Sequence, residues 1–295
     1  MITATRLTKR FGKLRAVDDV SFAIEPGEAV ALWGENGAGK TTAMRCVLGL
    51  LSFDGRIVVN GCDVARHGKA ARRAMGYVPQ ELALYDDLRL PEALRFFARL
   101  KRVRFVAVDD LLGEVGLLEH KRKRIRELSG GMKRRMALGL ALLADPPILV
   151  LDELTSNLDA AAQQGFVALM RRLKKRGKTI LFTSHHLDEV VTLADRAIVL
   201  ESGRLALSCP ASRLAEAIGA ECVLRIFVAG AAMDRALGAL HERGFDAIRN
   251  GTSLHVTVPM REKAAPLEVL TRADLVVRDF DVAALLTTRG GRFDG

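Results

Sequence analysis

The chain has 295 residues, a formal net charge of +10 and 27% charged side chains, which suits one ordinary domain plus a smaller one and excludes a chain too short to build its own core. Its four cysteines (Cys46, Cys62, Cys209, Cys222) show neither a CxxC pair nor metal-ligand spacing, which argues against a disulfide scaffold or a zinc module and for a reduced, intracellular chain. No run of about 18 apolar residues is present, and the opening MITATRLTKRFGK lacks the apolar core of a signal peptide, so a soluble chain is expected whose membrane attachment, if any, comes from a partner. From Ala220 onward ten basic and ten acidic side chains cancel, which puts the whole excess in residues 1–219.

In chain order, EAVALW reads as a buried strand, and it runs into GENGAGKTT. Gly34, Gly37 and Gly39 allow successive N–H groups to turn inward and cradle phosphate oxygens. Lys40 then reaches the β- and γ-phosphates and the Thr41 hydroxyl is placed to ligate Mg2+. TTAMRCVLGLL follows as a helix whose positive end faces the phosphates. Further on, LPEALRFFARLKR carries apolar residues at helical spacing. Three basic runs stand out: KRKRIR from Lys121, KRR from Lys133 and RRLKKRGK from Arg171. They fit a solvated helix face, or a surface for nucleic acid or anionic lipid, and the scarcity of interleaved aromatics speaks against single-stranded nucleic acid.

Ser129, Gly130 and Gly131 precede a long helical pattern, and so form a second N–H-presenting helix start where one nucleotide needs only one cradle. PPILVLDE is a continuously apolar strand, as in a parallel sheet buried on both faces, ending in Asp152 and Glu153. At that strand end Asp152 is suited to hold Mg2+ through water and Glu153 to act as general base on a water. TILFT is a further strand, followed by His185 and His186. After about Leu214 a separate unit reads as βαββαβ: ECVLRIFVA, AAMDRALGALHERG, FDAIR and SLHVTV joined at Asn250-Gly251, REKAAPLEVLTRA, then DLVVRDFD. That unit holds no catalytic constellation.

An Asn-Lys-x-Asp base-reading element, expected of a GTPase, is absent. The ordered motifs of residues 1–215 instead resemble the ATP-binding subunit of an ABC transporter. Gly34 to Thr42, including Asn36, Ala38 and Thr42, resembles the Walker A loop; Gln80 in GYVPQE resembles the Q-loop glutamine; LSGGM resembles the family signature; Ile148 to Glu153 resembles Walker B; SNLD ending at Asp159 looks like the D-loop; and His185, with Glu189 four residues on, looks like the switch histidine. His186 is then an ordinary loop residue.

The resemblance implies an α/β P-loop cassette, with a RecA-like core, an antiparallel β subdomain and a helical subdomain over 1–215, plus a small α+β ferredoxin-like domain over 220–295. It implies ATP and Mg2+ as cofactors, with Gln80 joining Thr41 and Asp152 at the metal, and two cassettes (this chain twice, or with a paralogue) closing head to tail so that Ser129 and Gly130 complete the other's site. An integral membrane permease would be the partner, placing the chain on the cytoplasmic face of the inner membrane. Leu82, Leu84 and Tyr85 are expected either to line the groove for that partner or to pack in the core. Phe11 stands where the family stacks an aromatic ring on adenine, and is otherwise a core residue. The signature ending in Met132 and the tail domain fit ABC-2 type exporters. Leu154 after the catalytic Glu and Asn157 within the D-loop depart from the common pattern but remove no charged catalytic group. The alternative is a soluble ABC ATPase acting on ribosome or DNA.

Overall fold

The structure, a computed structural model, describes residues 1–82, 84–103, 107–153, 155 and 158–286, with side chains up to residue 282; Leu154 and Asn157 therefore lie outside the described residues. Two compact units divide it, Met1–Ala211 and a second that begins at Ser212.

In the first unit β1 (Ile2–Phe11) and β2 (Leu14–Ile24) form a hairpin, and β3 (Ala29–Trp33) leads to α1 (Lys40–Val47). This helix stops four residues short of its expected end. Gly49 adopts φ 63, and the Leu50 N–H reaches back to the Arg45 carbonyl at 2.9 Å, a left-handed closure that turns the chain away. Next come β4 (Asp54–Val59), β5 (Cys62–Asp63), α2 (Val64–Arg73) and β6 (Met75–Val78). The helices α3 (Leu90–Leu100), α4 (Val108–Glu114) and α5 (Gly130–Leu142) pack on one another, α5 starting where the serine–glycine signal predicts. The alternation then resumes as β7 (Ile148–Leu151), α6 (Ala160–Lys175), β8 (Thr179–Ser184), α7 (Leu187–Leu193), β9 (Arg196–Glu201) and β10 (Arg204–Pro210).

Two sheets result. One is antiparallel in the order β2-β1-β4-β5; the other runs β10-β9-β3-β8-β7-β6, parallel except for its β10 edge. The strands β7 and β8 are buried at every residue and β3 at all but Trp33, as strands covered on both faces are, and a core of Ile2, Leu32, Met44, Val150 and Ile198 joins the sheets through α1.

The second unit begins earlier than the sequence boundary. Its first helix, α8 (Leu214–Ala217), buries Leu214 and packs beside the turn at Met260–Glu262, and the Ala220 carbonyl accepts the Met260 N–H at 2.8 Å. The remaining elements are β11 (Glu221–Val228), α9 (Met233–Glu242), β12 (Asp246–Asn250), β13 (Ser253–Pro259), α10 (Ala265–Arg272) and β14 (Val277–Leu286), in an antiparallel sheet ordered β12-β13-β11-β14. This is the split βαβ order, with its own core of Leu224, Ile226, Leu240 and Val256. The hairpin turn falls one residue later than expected: Asn250 pairs with Ser253, leaving Gly251 (φ 59) and Thr252 as the loop.

Candidate nucleotide-binding and catalytic site

Parallel register builds the site. Val78 pairs with Leu151, Leu151 with Phe182, and Trp33 with Ser184, so β6, β7, β8 and β3 end at nearly the same level. The residues that follow those ends are Gln80, Asp152 with Glu153, His185 and the phosphate-loop glycines. Four segments far apart in sequence thus meet at the carboxyl edge of one sheet, where open α/β sheets place their ligands.

A cleft of about 550 Å3 opens there, a suitable volume for a nucleotide. It is lined by Asn36, Gly37, Gly39, Lys40, Thr41 and Thr42 of the phosphate loop, by Gln80, Glu153 and His185, and by Phe11, Leu14 and Ala16 from the β1–β2 hairpin. Gly39 caps α1 at φ 98, and a Cβ there would stand 2.3 Å from the Ala16 carbonyl oxygen, so only glycine lets the hairpin approach the helix start. Phe11 is 49% exposed with the Lys9 ammonium 5.0 Å from its ring centroid, which removes the core alternative and leaves an open π-face at the cleft. Nothing in the sequence singled out Leu14 or Ala16; they arrive through strand pairing.

The Lys40 ammonium donates to the carbonyls of Gly34 (2.6 Å) and Glu35 (2.8 Å), which leaves one of its three protons for a ligand in the cleft. Burial pushes its pKa down, and the carboxylates of Glu153, Asp152 and Glu35 oppose that. Thr41 and Thr183 each donate a hydroxyl proton to Asp152 Oδ1 at 2.9 Å. Asp152 Oδ2 is buried without a partner. An orphaned carboxylate oxygen beside a threonine hydroxyl suits a hydrated Mg2+, which asks one or two carboxylates of the protein and takes waters and phosphates for the rest.

The Glu153 backbone is left-handed, φ 50, and its N–H donates to Thr183 Oγ1 at 2.6 Å. His185 Nδ1 lies 3.8 Å from Glu153 Oε1. Burial, then the adjacent His186, hold the His185 imidazole below its usual value, with Glu153 pulling it upward. Behind it, Ser184 Oγ donates to Glu189 Oε2 at 2.6 Å and Gln163 to Glu189 Oε1 at 3.2 Å. Glu189 is thus a buried brace for the histidine loop, its carboxyl pushed up chiefly by burial.

Gly34, Ala38 and Asp152 do not themselves line the cleft, and Ser129, Gly130, Gly131 and Asp159 lie outside it. Ser129 caps α5, accepting the Met132 N–H at 3.3 Å, and Asp159 caps α6, accepting the Ala162 N–H at 2.8 Å. The basic runs are largely solvated and paired: Lys121 with Asp109, Arg126 with Asp87, Lys174 with Asp195 and Arg176 with Glu114. One member departs from that face. Arg134, from the KRR run, is 2% exposed and lies behind the cleft. Its signal was present in the sequence: it shares a helical stripe with Leu138 and Ala141, both buried.

The ABC transporter family model matches residues 17–156. The linearmycin resistance ATP-binding protein LnrL of Bacillus subtilis (strain 168) is 32% identical over 235 residues, covering 78% of this chain and 76% of that protein. The Nod factor export ATP-binding protein I of Paraburkholderia xenovorans (strain LB400) is 40% identical over 228 residues, covering 75% of each. Among solved structures, one described as the ATP binding subunit of an ABC transporter superposes with a TM-score of 0.65 at 29% identity, covering 74% of this chain and 93% of that one. With relatives of this identity and coverage, and with the phosphate loop, Glu153 and His185 lining one cleft, the chain belongs to the ABC transporter ATP-binding proteins and is an ATPase of that family.

Proposed function

We propose that this chain works as one of a pair of cassettes that close on two ATP molecules and drive a separate membrane permease, in export. The observation that carries the reading is the position of the signature. Ser129 and Gly130 are exposed and stand away from the chain's own cleft, and the first turn of α5 leaves N–H groups there without intrahelical partners. A second phosphate cradle that cannot serve its own nucleotide fits a facing copy, or a paralogue.

Within the cleft, Phe11 stacks on the adenine, and Gly37, Gly39 and Lys40 hold the phosphates. Thr41 and Asp152, with Gln80, would hold Mg2+, which when bound would supply charge neutralisation on the phosphate oxygens. Glu153 accepts the proton of the attacking water, and His185 contacts the γ-phosphate or that water. Asp159 faces the partner cassette.

No helix among the described residues is long and apolar enough to cross a membrane. A permease partner accounts for that, with this chain peripheral on the cytoplasmic face. The docking surface that fits is aromatic: Tyr85 (57% exposed) and Phe96 (39%) meet edge to face at 5.4 Å, a short way along the chain from Gln80. Leu82 and Leu84 beside them are half-buried. Export is supported by the names of the relatives, one an export protein and one a resistance protein. Neither named relative supports the ribosome or DNA alternative.

Glu153→Gln keeps the shape of the site and removes the proton acceptor, so ATP should bind without turnover and hold the pair closed, seen as a dimer in sedimentation. Adding Ser129→Arg should abolish that dimer while each Walker loop stays intact. A Glu153→Gln chain that remains monomeric with saturating ATP, alone and with its permease, would sink the shared-site reading.

A further inference from the structure

Arg134 sits on α5, one turn beyond Gly130, almost fully buried. Its guanidinium donates to backbone carbonyls of two separate segments. One nitrogen donates to the carbonyl of Pro79 at 3.0 Å and, more weakly, to that of Gln80 at 3.3 Å. The other donates to the carbonyl of Asp152 at 2.8 Å and to that of Glu153. Burial works against the charge, and Asp152, Glu153 and Glu189 supply the field that retains it.

Two consequences follow from this geometry. The Asp152–Glu153 peptide is gripped on both sides, its N–H by Thr183 and its carbonyl by Arg134, while Glu153 holds a left-handed backbone that a side chain rarely adopts unaided. The same planar fork also spans the segments that carry Gln80 and Glu153, so these two side chains are set relative to each other from beneath. Only a guanidinium has donors at a fixed spacing to do both; an ammonium is a point donor.

We propose that Arg134 is the positioning residue of this ATPase, holding the Glu153 base and the Gln80 segment in register and tying both to the signature helix on which it sits. Displacement of that helix by a facing cassette therefore reaches the base through one buried side chain. The proposal rests on the ATPase reading of the cleft.

The test uses the full chain and the variants Arg134→Lys, Arg134→Gln and Thr183→Val. Nucleotide affinity is read from Trp33, the only tryptophan, and turnover from phosphate release. Arg134→Lys and Arg134→Gln should bind ATP within about threefold of the unaltered chain and lose turnover by roughly 10- to 100-fold, since displacing a catalytic group by about 1 Å costs of that order. KM should move little while kcat falls. Combining Arg134→Gln with Thr183→Val should cost less than the product of the two single losses, because both grip one peptide. Turnover within twofold of the unaltered chain in both Arg134 variants would overturn the proposal, as would multiplicative losses. Loss of cooperative unfolding in every Arg134 variant would overturn it too, by making the residue a support of the fold rather than of the loops. Failure of the ATPase reading itself is recognisable separately, as absence of turnover in the unaltered chain with its permease.

Discussion

Thr183→Val removes one hydroxyl from a fully buried position and nothing else of size. That hydroxyl donates to Asp152 Oδ1 at 2.9 Å and accepts from the Glu153 N–H at 2.6 Å, so the substitution breaks two bonds at once. The bond to a charged carboxylate contributes about 1.5–3 kcal/mol, and the Glu153 N–H left buried and unpaired costs about 1–3 kcal/mol, for a total near 2.5–6 kcal/mol. Against a net stability of about 5–15 kcal/mol for a domain, this is a large share. Thr183→Ser keeps both bonds and loses a methyl group, a change of about 1 kcal/mol. Urea unfolding followed by Trp33 fluorescence reports the first unit alone, because Trp33 lies at the carboxyl end of β3 and is the only tryptophan. The valine variant should unfold at clearly lower urea with an unchanged slope, the serine variant close to the unaltered chain. If the two variants differ by less than about 1 kcal/mol, the double hydrogen bond is not what holds the Asp152–Glu153 corner.

Lys40→Ala should abolish tight ATP binding, since the cradle loses its mobile positive charge, and equilibrium binding of labelled ATP checks it. The His185 ring should titrate below 6.5 by NMR; Glu153→Gln, which removes an upward pull, should lower its pKa further, and Lys40→Ala should raise it. Because the folded chain favours neutral His185, the unfolded chain takes up that proton first, so this group's contribution to stability is lost as pH falls from 6.5 toward the lowered folded value. Removing everything from Ser212 onward should leave a cassette that folds and binds ATP, because each unit has its own apolar core; an insoluble product without nucleotide binding would refute that independence.

Some of this was settled along the chain. A phosphate loop is a local object: its glycines, its lysine and the helix behind it are contiguous, so residues 34–42 declare it without help from the rest of the fold. The same holds for the α5 start, where Ser129 caps its own helix, and for the buried strands before Asp152 and His185, the first an unbroken Ile-Leu-Val-Leu run and the second apolar at Ile180, Leu181 and Phe182. Helix ends were less secure, since the stop at Gly49 depends on one backbone angle that the apolar pattern through Leu51 hides.

What only the tertiary structure decided is what strand order and register decide. Gln80, Asp152 and His185 become neighbours because β6, β7, β8 and β3 lie side by side and end level. Phe11 becomes a cleft residue because a separate antiparallel hairpin crosses the α1 start. Arg134 is the sharpest case. In the run KRR it looks like one more solvated cation, and helical spacing alone marks it as inward. A buried charge is tolerable there with carbonyls supplied by two loops about 20 and 50 residues away and with the field of Asp152, Glu153 and Glu189, and no local pattern encodes their convergence.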